Sequence, residues 1–253
     1  MNVGKITTID DVLESLDKII FQSVTQNDTC GYFAALYRQV TFEVKQGIEN
    51  NYFDDGARMK RLDVVFAKRY IDAWHAWQNG QNVSQSWDAA FRFSEKQSPV
   101  VLQHLLMGMH AHINFDLGIA AAEISRNSDI QLLKNDFFRI NNILSMQVNR
   151  VQNNLSSIWP FLKKILARTG KLDNHLVDFS MELARDGAWK FAENLWKTPI
   201  EKWEECIYER DSIIAAKSEI VTNPKIWIKI VFWIIRLSER GSVPVKINYL
   251  LQE

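Results

Sequence analysis

Thr8-Ile-Asp-Asp-Val-Leu-Glu-Ser-Leu-Asp-Lys-Ile-Ile20 decides the fold class. Ile9, Val12, Leu13, Leu16, Ile19 and Ile20 recur at three- and four-residue spacing, the period of a helix with one buried face. Thr8 stands where an N-cap belongs, and Asp11 follows three residues later as its capping-box partner. Outward from this stretch the same period repeats. Phe33, Tyr37, Val40, Val44 and Ile48 mark a helix from about Gly31 to Ile48. Met59, Leu62, Phe66, Tyr70, Ala73 and Trp77 mark another from about Gly56 to Trp77, stopped by Asn79-Gly80. A short helix is expected near Ser86 to Glu95. Ser98-Pro99 reads as cap and first-turn proline of a helix reaching about Ile124.

Leu133, Phe137, Ile140, Leu144, Val148, Val151, Leu155 and Ile158 predict a long helix ended by Pro160, followed by a short one ending at Gly170 and another from about Asp173 to Lys197. Thr198-Pro199 with Glu201 reads as a further capped start. Asn223-Pro224 opens the last expected helix, which Gly241 closes. Two-residue alternation and hairpin signals are missing. The prediction is an all-α, single-domain bundle of about eight to ten helices over residues 1–253.

Composition narrows the function classes. Thirty basic residues balance thirty acidic ones, so no positive field draws the chain to nucleic acid. The two cysteines, Cys30 and Cys206, form neither a C-x-x-C pair nor a disulfide framework. Acids in Met1 to Asp11, where a signal peptide needs a basic and then an apolar run, predict a cytoplasmic protein. Ile226 to Leu237 is the most apolar stretch, yet Lys229 and Arg236 interrupt it well short of the about 20 residues of a spanning helix. No transmembrane segment is expected. The helix at 224–240 has three readings: a core helix whose cations snorkel to water, a subunit interface in a homo-oligomer, or a contact with a membrane surface.

Chemistry concentrates in His104-Leu-Leu-Met-Gly108-Met-His110-Ala-His112-Ile-Asn114-Phe-Asp116-Leu-Gly118. On a helical wheel His104, Gly108, His112, Phe115 and Asp116 share a face. His112 and Asp116 stand one turn apart, so the carboxylate can orient the imidazole as a base or a metal ligand, or merely satisfy it. His104 and His112 are about 12 Å apart along the axis, so sharing one ion would require awkward reach. A divalent metal, which nothing in the sequence requires, would use His112, Asp116 and Asp63. Asp63 lies on an otherwise apolar face and needs a partner: a cation such as Arg61 or Arg69, a metal, or a buried hydrogen-bond network. Arg185 and Trp189, also one turn apart, offer a cation and an aromatic ring for an anionic ligand, or a packing pair. Gly108 opens a notch for a ligand or a close neighbour. His75, His110 and His175 read as surface or helix-end residues. Dinucleotide and P-loop fingerprints, a nucleophile elbow, H-E-x-x-H and di-iron Glu-x-x-His pairs are all missing.

Four blocks carry a resemblance: Phe33 to Thr41, Arg58 to Tyr70, His104 to Leu117 with its A-H-I-N-x-D-L, and Ala184-Arg185 with Ala188-Trp189. In this order, over about residues 32–196, they resemble the bacterial family of unknown function DUF5995, leaving 199–253 as a helical extension. Two positions, His110 and Gly187, depart from the pattern. The resemblance implies a helical domain that gathers these motifs, and no substrate. The expectation from the residues is an enzyme for hydrolysis or proton transfer on a small anionic or apolar molecule. Asp63, His104, His112 and Asp116 would line a solvent-reachable pocket, with Arg185 and Trp189 nearby. The alternative is a non-catalytic small-molecule-binding or interaction module.

Overall fold

A computed structural model describes residues 6–140, 142–144 and 181–252. The described residues form helices and no strands. The first helix, α1 (Ile9–Gln26), begins as its sequence demands. Thr8 Oγ1 accepts the Asp11 N–H at 3.1 Å, and Asp11 Oδ2 accepts the Thr8 N–H at 2.9 Å. Its stripe of Val12, Leu16 and Ile19 is fully buried against α2 (Cys30–Glu49) and α3 (Gly56–Gln78). Asn79 caps α3, and Gly80 takes the left-handed conformation (φ 66°) that glycine adopts without strain. Next comes α4 (Gln85–Ser94), whose first N–H groups are held from another part of the chain. Asp211 Oδ2 accepts from Gln85 N at 2.6 Å and Asp211 Oδ1 from Ser86 N at 2.8 Å.

The central histidine-bearing helix departs from expectation twice. It starts at Val101, not Pro99: Val100 is the N-cap, and its N–H is accepted by Gln103 Oε1 at 3.2 Å. It is also interrupted. After α5 (Val101–Ala111), residues His112–Asp116 form a π turn in which the Leu117 N–H reaches back to the His112 carbonyl; α6 (Leu117–Ile124) follows. One extra residue per turn rotates everything before it relative to everything after it.

The predicted run from Leu133 to Ile158 is only partly described. Ile130–Leu133 is a 3₁₀ turn, and residues 134–140 and 142–144 are helical. Its later part, Pro160, Gly170, the start expected at Asp173, and His175 lie outside the described residues. The chain re-enters at α7 (Met181–Lys197), which packs along α6. The capped start expected at Thr198-Pro199 does not form. Thr198 Oγ1 bonds back to the Asn194 carbonyl at 2.8 Å, and a 3₁₀ turn at Ile200–Lys202 leads into α8 (Trp203–Lys217). After α9 (Ile226–Ser238), a helix that the sequence reading missed, α10 (Val243–Leu250), folds back on α1 and α2. Ser242 before it and Pro244 in its first turn were available signals. No helix among the described residues is long and apolar enough to cross a membrane.

The α6–α7 crossing depends on a missing side chain. A Cβ on Gly118 would sit 2.8 Å from the Ala188 carbonyl oxygen and 2.8 Å from Phe191 Cδ1. Backbone oxygen cannot step aside cheaply, so Gly118→Ala is expected to destabilise the protein by about 1–3 kcal/mol, read as a lowered midpoint in thermal unfolding. Gly187→Ala is the control. Its Cβ would meet only Arg210 Nη2, at 3.7 Å, so higher helix propensity leaves the variant neutral or slightly more stable. Equal losses at both sites would refute the close approach.

Candidate functional site

Helices α2, α3 and α4 and the π turn enclose one imidazole. His112 is buried, stacked flat on Phe66 (ring centroids 3.7 Å, 5° between planes) and edge-on to Tyr37 at 4.5 Å. Phe33, Trp87 and Tyr70 complete the box at 5.8, 5.9 and 6.0 Å. Gly108 supplies the close approach for one wall: an added Cβ there would fall 2.4 Å from Phe33 Cγ, so the notch is filled by a neighbouring helix and cradles no ligand.

The pairing one turn apart on the sequence is made. His112 Nδ1 donates to Asp116 Oδ2 at 3.0 Å. The same oxygen accepts from Trp87 Nε1 at 2.8 Å, and Asp116 Oδ1 accepts from Arg69 Nε at 2.8 Å. Burial alone would raise the Asp116 pKa, but the Arg69 charge, the His112 bond and the Trp87 bond bring it below the usual carboxylate range. Burial lowers the His112 pKa against the pull of Asp116. Burial thus favours the neutral imidazole; its bond to the carboxylate assigns the hydrogen to Nδ1 and leaves the lone pair on the buried Nε2.

That lone pair has no partner. Among the described residues His112 Nε2, Asp63 Oδ2 and Tyr70 Oη are buried polar atoms without a hydrogen bond, as are Ser23 Oγ, Trp74 Nε1, Arg185 Nε and Trp189 Nε1, while the Tyr37 and Thr41 hydroxyls lie near enough to bond to each other. Tyr37 links His112 to Asp63: its ring meets the imidazole edge-on, and its hydroxyl lies within range of the Asp63 and Asp116 charges. Asp63 precedes the stacked Phe66 by one turn of α3, and Thr41 follows Tyr37 by one turn of α2. Burial raises the Tyr37 hydroxyl pKa, and the charges of Asp63 and Asp116 raise it further. Burial also pushes the Asp63 carboxyl up to about 7. Neither arginine expected beside Asp63 neutralises it: Arg69 is committed to Asp116, and Arg61 is exposed.

The other histidines of the helix are in different places and are satisfied. His104, expected with His112, lies instead between Tyr32 and Phe93, its Nδ1 3.4 Å from Thr29 Oγ1 and its ring hydrogen-bonded to the Pro99 backbone. Burial, with the nearby Lys246 and Arg236 charges, lowers its pKa to about 4. His110, expected at the surface, is buried. Its Nε2 donates to the Ile214 carbonyl at 2.8 Å, and Asn114 Nδ2 donates to its Nδ1 at 3.2 Å.

Arg185 and Trp189 also part from the expected site. Arg185 donates to the Phe137 carbonyl and lies over the Phe137 ring, and Trp189 packs on Phe137 and Phe138. Trp189 belongs to a neighbouring cluster with Met59, Leu62 and Ile113, Arg185 is buried against the Phe137 of that cluster, and Arg185 Nε and Trp189 Nε1 have no hydrogen-bond partner there. Among the described residues no three His, Cys, Asp or Glu side chains are placed to hold a metal ion. The set His112, Asp116 and Asp63 is not assembled as one, because Asp116 already spends its oxygens on Arg69, Trp87 and His112. The site is also closed: His112, Asp116 and Asp63 are all buried, where a solvent-reachable hollow was expected.

Sequence reasoning missed Tyr37 and Thr41 as site residues, and Trp87 altogether. Polar tips spaced four apart on an apolar stripe were a usable signal for the first two, whereas nothing local marks Trp87. Neither the curated proteins nor the solved structures contain a match to the chain. A family model matches residues 9–224, further in both directions than the four motif blocks suggest. The chain belongs to the family of unknown function DUF5995.

Proposed function

We propose that the protein is an acid–base enzyme that carries out hydrolysis or proton transfer on a small molecule held between α2, α3 and the π turn. His112 Nε2 accepts the proton, oriented by Asp116. Asp63, protonated up to about neutral pH, donates one. Arg69 and Trp87 position Asp116. One observation carries this reading: three histidines lie in one helical segment, and only His112 keeps a buried nitrogen unpaired. A buried polar atom without a partner is costly, and such sites cluster where binding supplies the partner. The aromatic walls favour an uncharged, largely apolar ligand with one polar group, and its entry requires the rings to part. The chemistry needs no metal. Free Cys30 and Cys206 support a reducing, cytoplasmic setting.

The test pairs thermal shift with turnover. Small neutral esters, lactones and alcohols are screened for ligands that raise the unfolding midpoint of the native chain, then for conversion. A hit is expected to be lost in His112→Gln, with turnover reduced by about 10²-fold or more. If His112→Gln only lowers the midpoint and no compound separates it from the native chain, the imidazole is a packing element.

A further inference from the structure

The helix beyond the family match presents an uncovered apolar face. Ile226 is 73 %, Ile230 53 %, Trp233 61 % and Leu237 68 % exposed. At 100° per residue these four fall in a stripe about 60° wide along α9. The opposite side is anchored: Ile235 is buried, and Val231 and Phe232 pack on the main core. The stripe is therefore held outward by the fold. Lys229 and Arg236 border it, and Lys225 and Arg240 stand at its two ends, all four exposed. The only acid between 225 and 240, Glu239, is turned inward to Lys246 and the Val101 N–H, with Arg236 Nη1 3.8 Å away and Arg236 Nη2 donating to the Gln97 carbonyl. Every exposed ionic group of this segment is a cation.

We propose that α9 docks the protein on a bilayer surface rich in anionic lipid, its apolar stripe entering the interface and its cations meeting the headgroups. Hydrophobic stripe, tryptophan and flanking lysine and arginine are the combination that lies in such an interface. A second copy of the chain fits poorly. A helix of 13 residues offers a face about 20 Å long and about 10 Å wide, about 200 Å², against about 800 Å² per partner in a stable interface. Pairing two such faces would also oppose like charges. The docking is independent of the buried histidine centre.

The full-length chain is sedimented with vesicles of phosphatidylcholine alone and of phosphatidylcholine mixed with phosphatidylglycerol, at low and high salt. Retention is expected on the anionic vesicles, falling at high salt. Ile230→Ser with Leu237→Ser, and separately Lys225→Gln with Lys229→Gln, are each expected to reduce retention by about tenfold or more while circular dichroism stays native. Should a variant misfold, quenching of native tryptophan fluorescence by acyl-chain-brominated lipid carries the test. No retention, equal retention on neutral vesicles, no quenching, or a concentration-dependent dimer that Ile230→Ser with Leu237→Ser dissociates would each overturn the proposal.

Discussion

Asp116→Ala is expected to cost about 4 kcal/mol of folding stability at neutral pH. The carboxylate accepts three hydrogen bonds, from Arg69, Trp87 and His112. Its removal strands the Trp87 indole N–H and the His112 Nδ1–H inside the protein, at about 1–3 kcal/mol for each buried donor. Arg69 contributes less, because its side chain is 29 % exposed and its guanidinium can turn to water. Asp116→Asn keeps the volume and one acceptor oxygen, so about half the loss is expected. Urea unfolding of both variants measures this, with the slope checked for two-state behaviour. A loss below about 1 kcal/mol for Asp116→Ala would mean that the network does not hold the π turn.

Asp63→Asn is expected to stabilise the protein, and only above about pH 4. The Asp63 carboxyl has an ordinary value of 3.8 and is raised by burial to about 7 in the folded chain. Below pH 3.8 it is protonated in both states, and the protein keeps the full benefit of the neutral form. As pH rises to about 7 the unfolded chain releases a proton that the folded chain retains, so that benefit is lost. The displacement corresponds to about 4 kcal/mol. The variant has no such slope: it matches the native chain in acid and exceeds it by several kcal/mol near pH 8. His104 works in the opposite sense. With its pKa lowered to about 4, its contribution is present above 6.5 and fades as pH falls. The native profile sums these slopes with those of His110 and His112, whose values burial also lowers, and the difference between native chain and variant isolates Asp63. A difference that stays constant across this range would mean that Asp63 ionises normally, and the proton-donor role would be abandoned.

Burying Asp63 is costly in a way that burying an apolar side chain is not. A leucine at position 63 would pack on the same face with Met59, Phe66 and Tyr70 without a charge to desolvate.

Short-range physics was legible in the amino-acid order. The Thr8–Asp11 box, the α1 to α3 stripes, the Asn79 stop and the His112–Asp116 bond each involve partners within about one turn of helix. Backbone geometry brings such partners together whatever surrounds them. Tertiary packing decided most of the rest. Ser98-Pro99 looks like a helix start, yet the helix begins at Val101, whose N–H is held by Glu239 from the other end of the chain; at Thr198-Pro199 a competing local bond from Thr198 to Asn194 displaced the expected cap. The separation of His104 from His112, the satisfaction of His110 by Ile214 and the enclosure of His112 by Trp87 from α4 depend on residues far apart in the chain. So does the fate of α9, whose apolar pattern would suit a buried core or an open face equally. Periodicity defines which side chains share a face. What covers that face is set by contacts between distant segments, and those become definite only when the chain is folded.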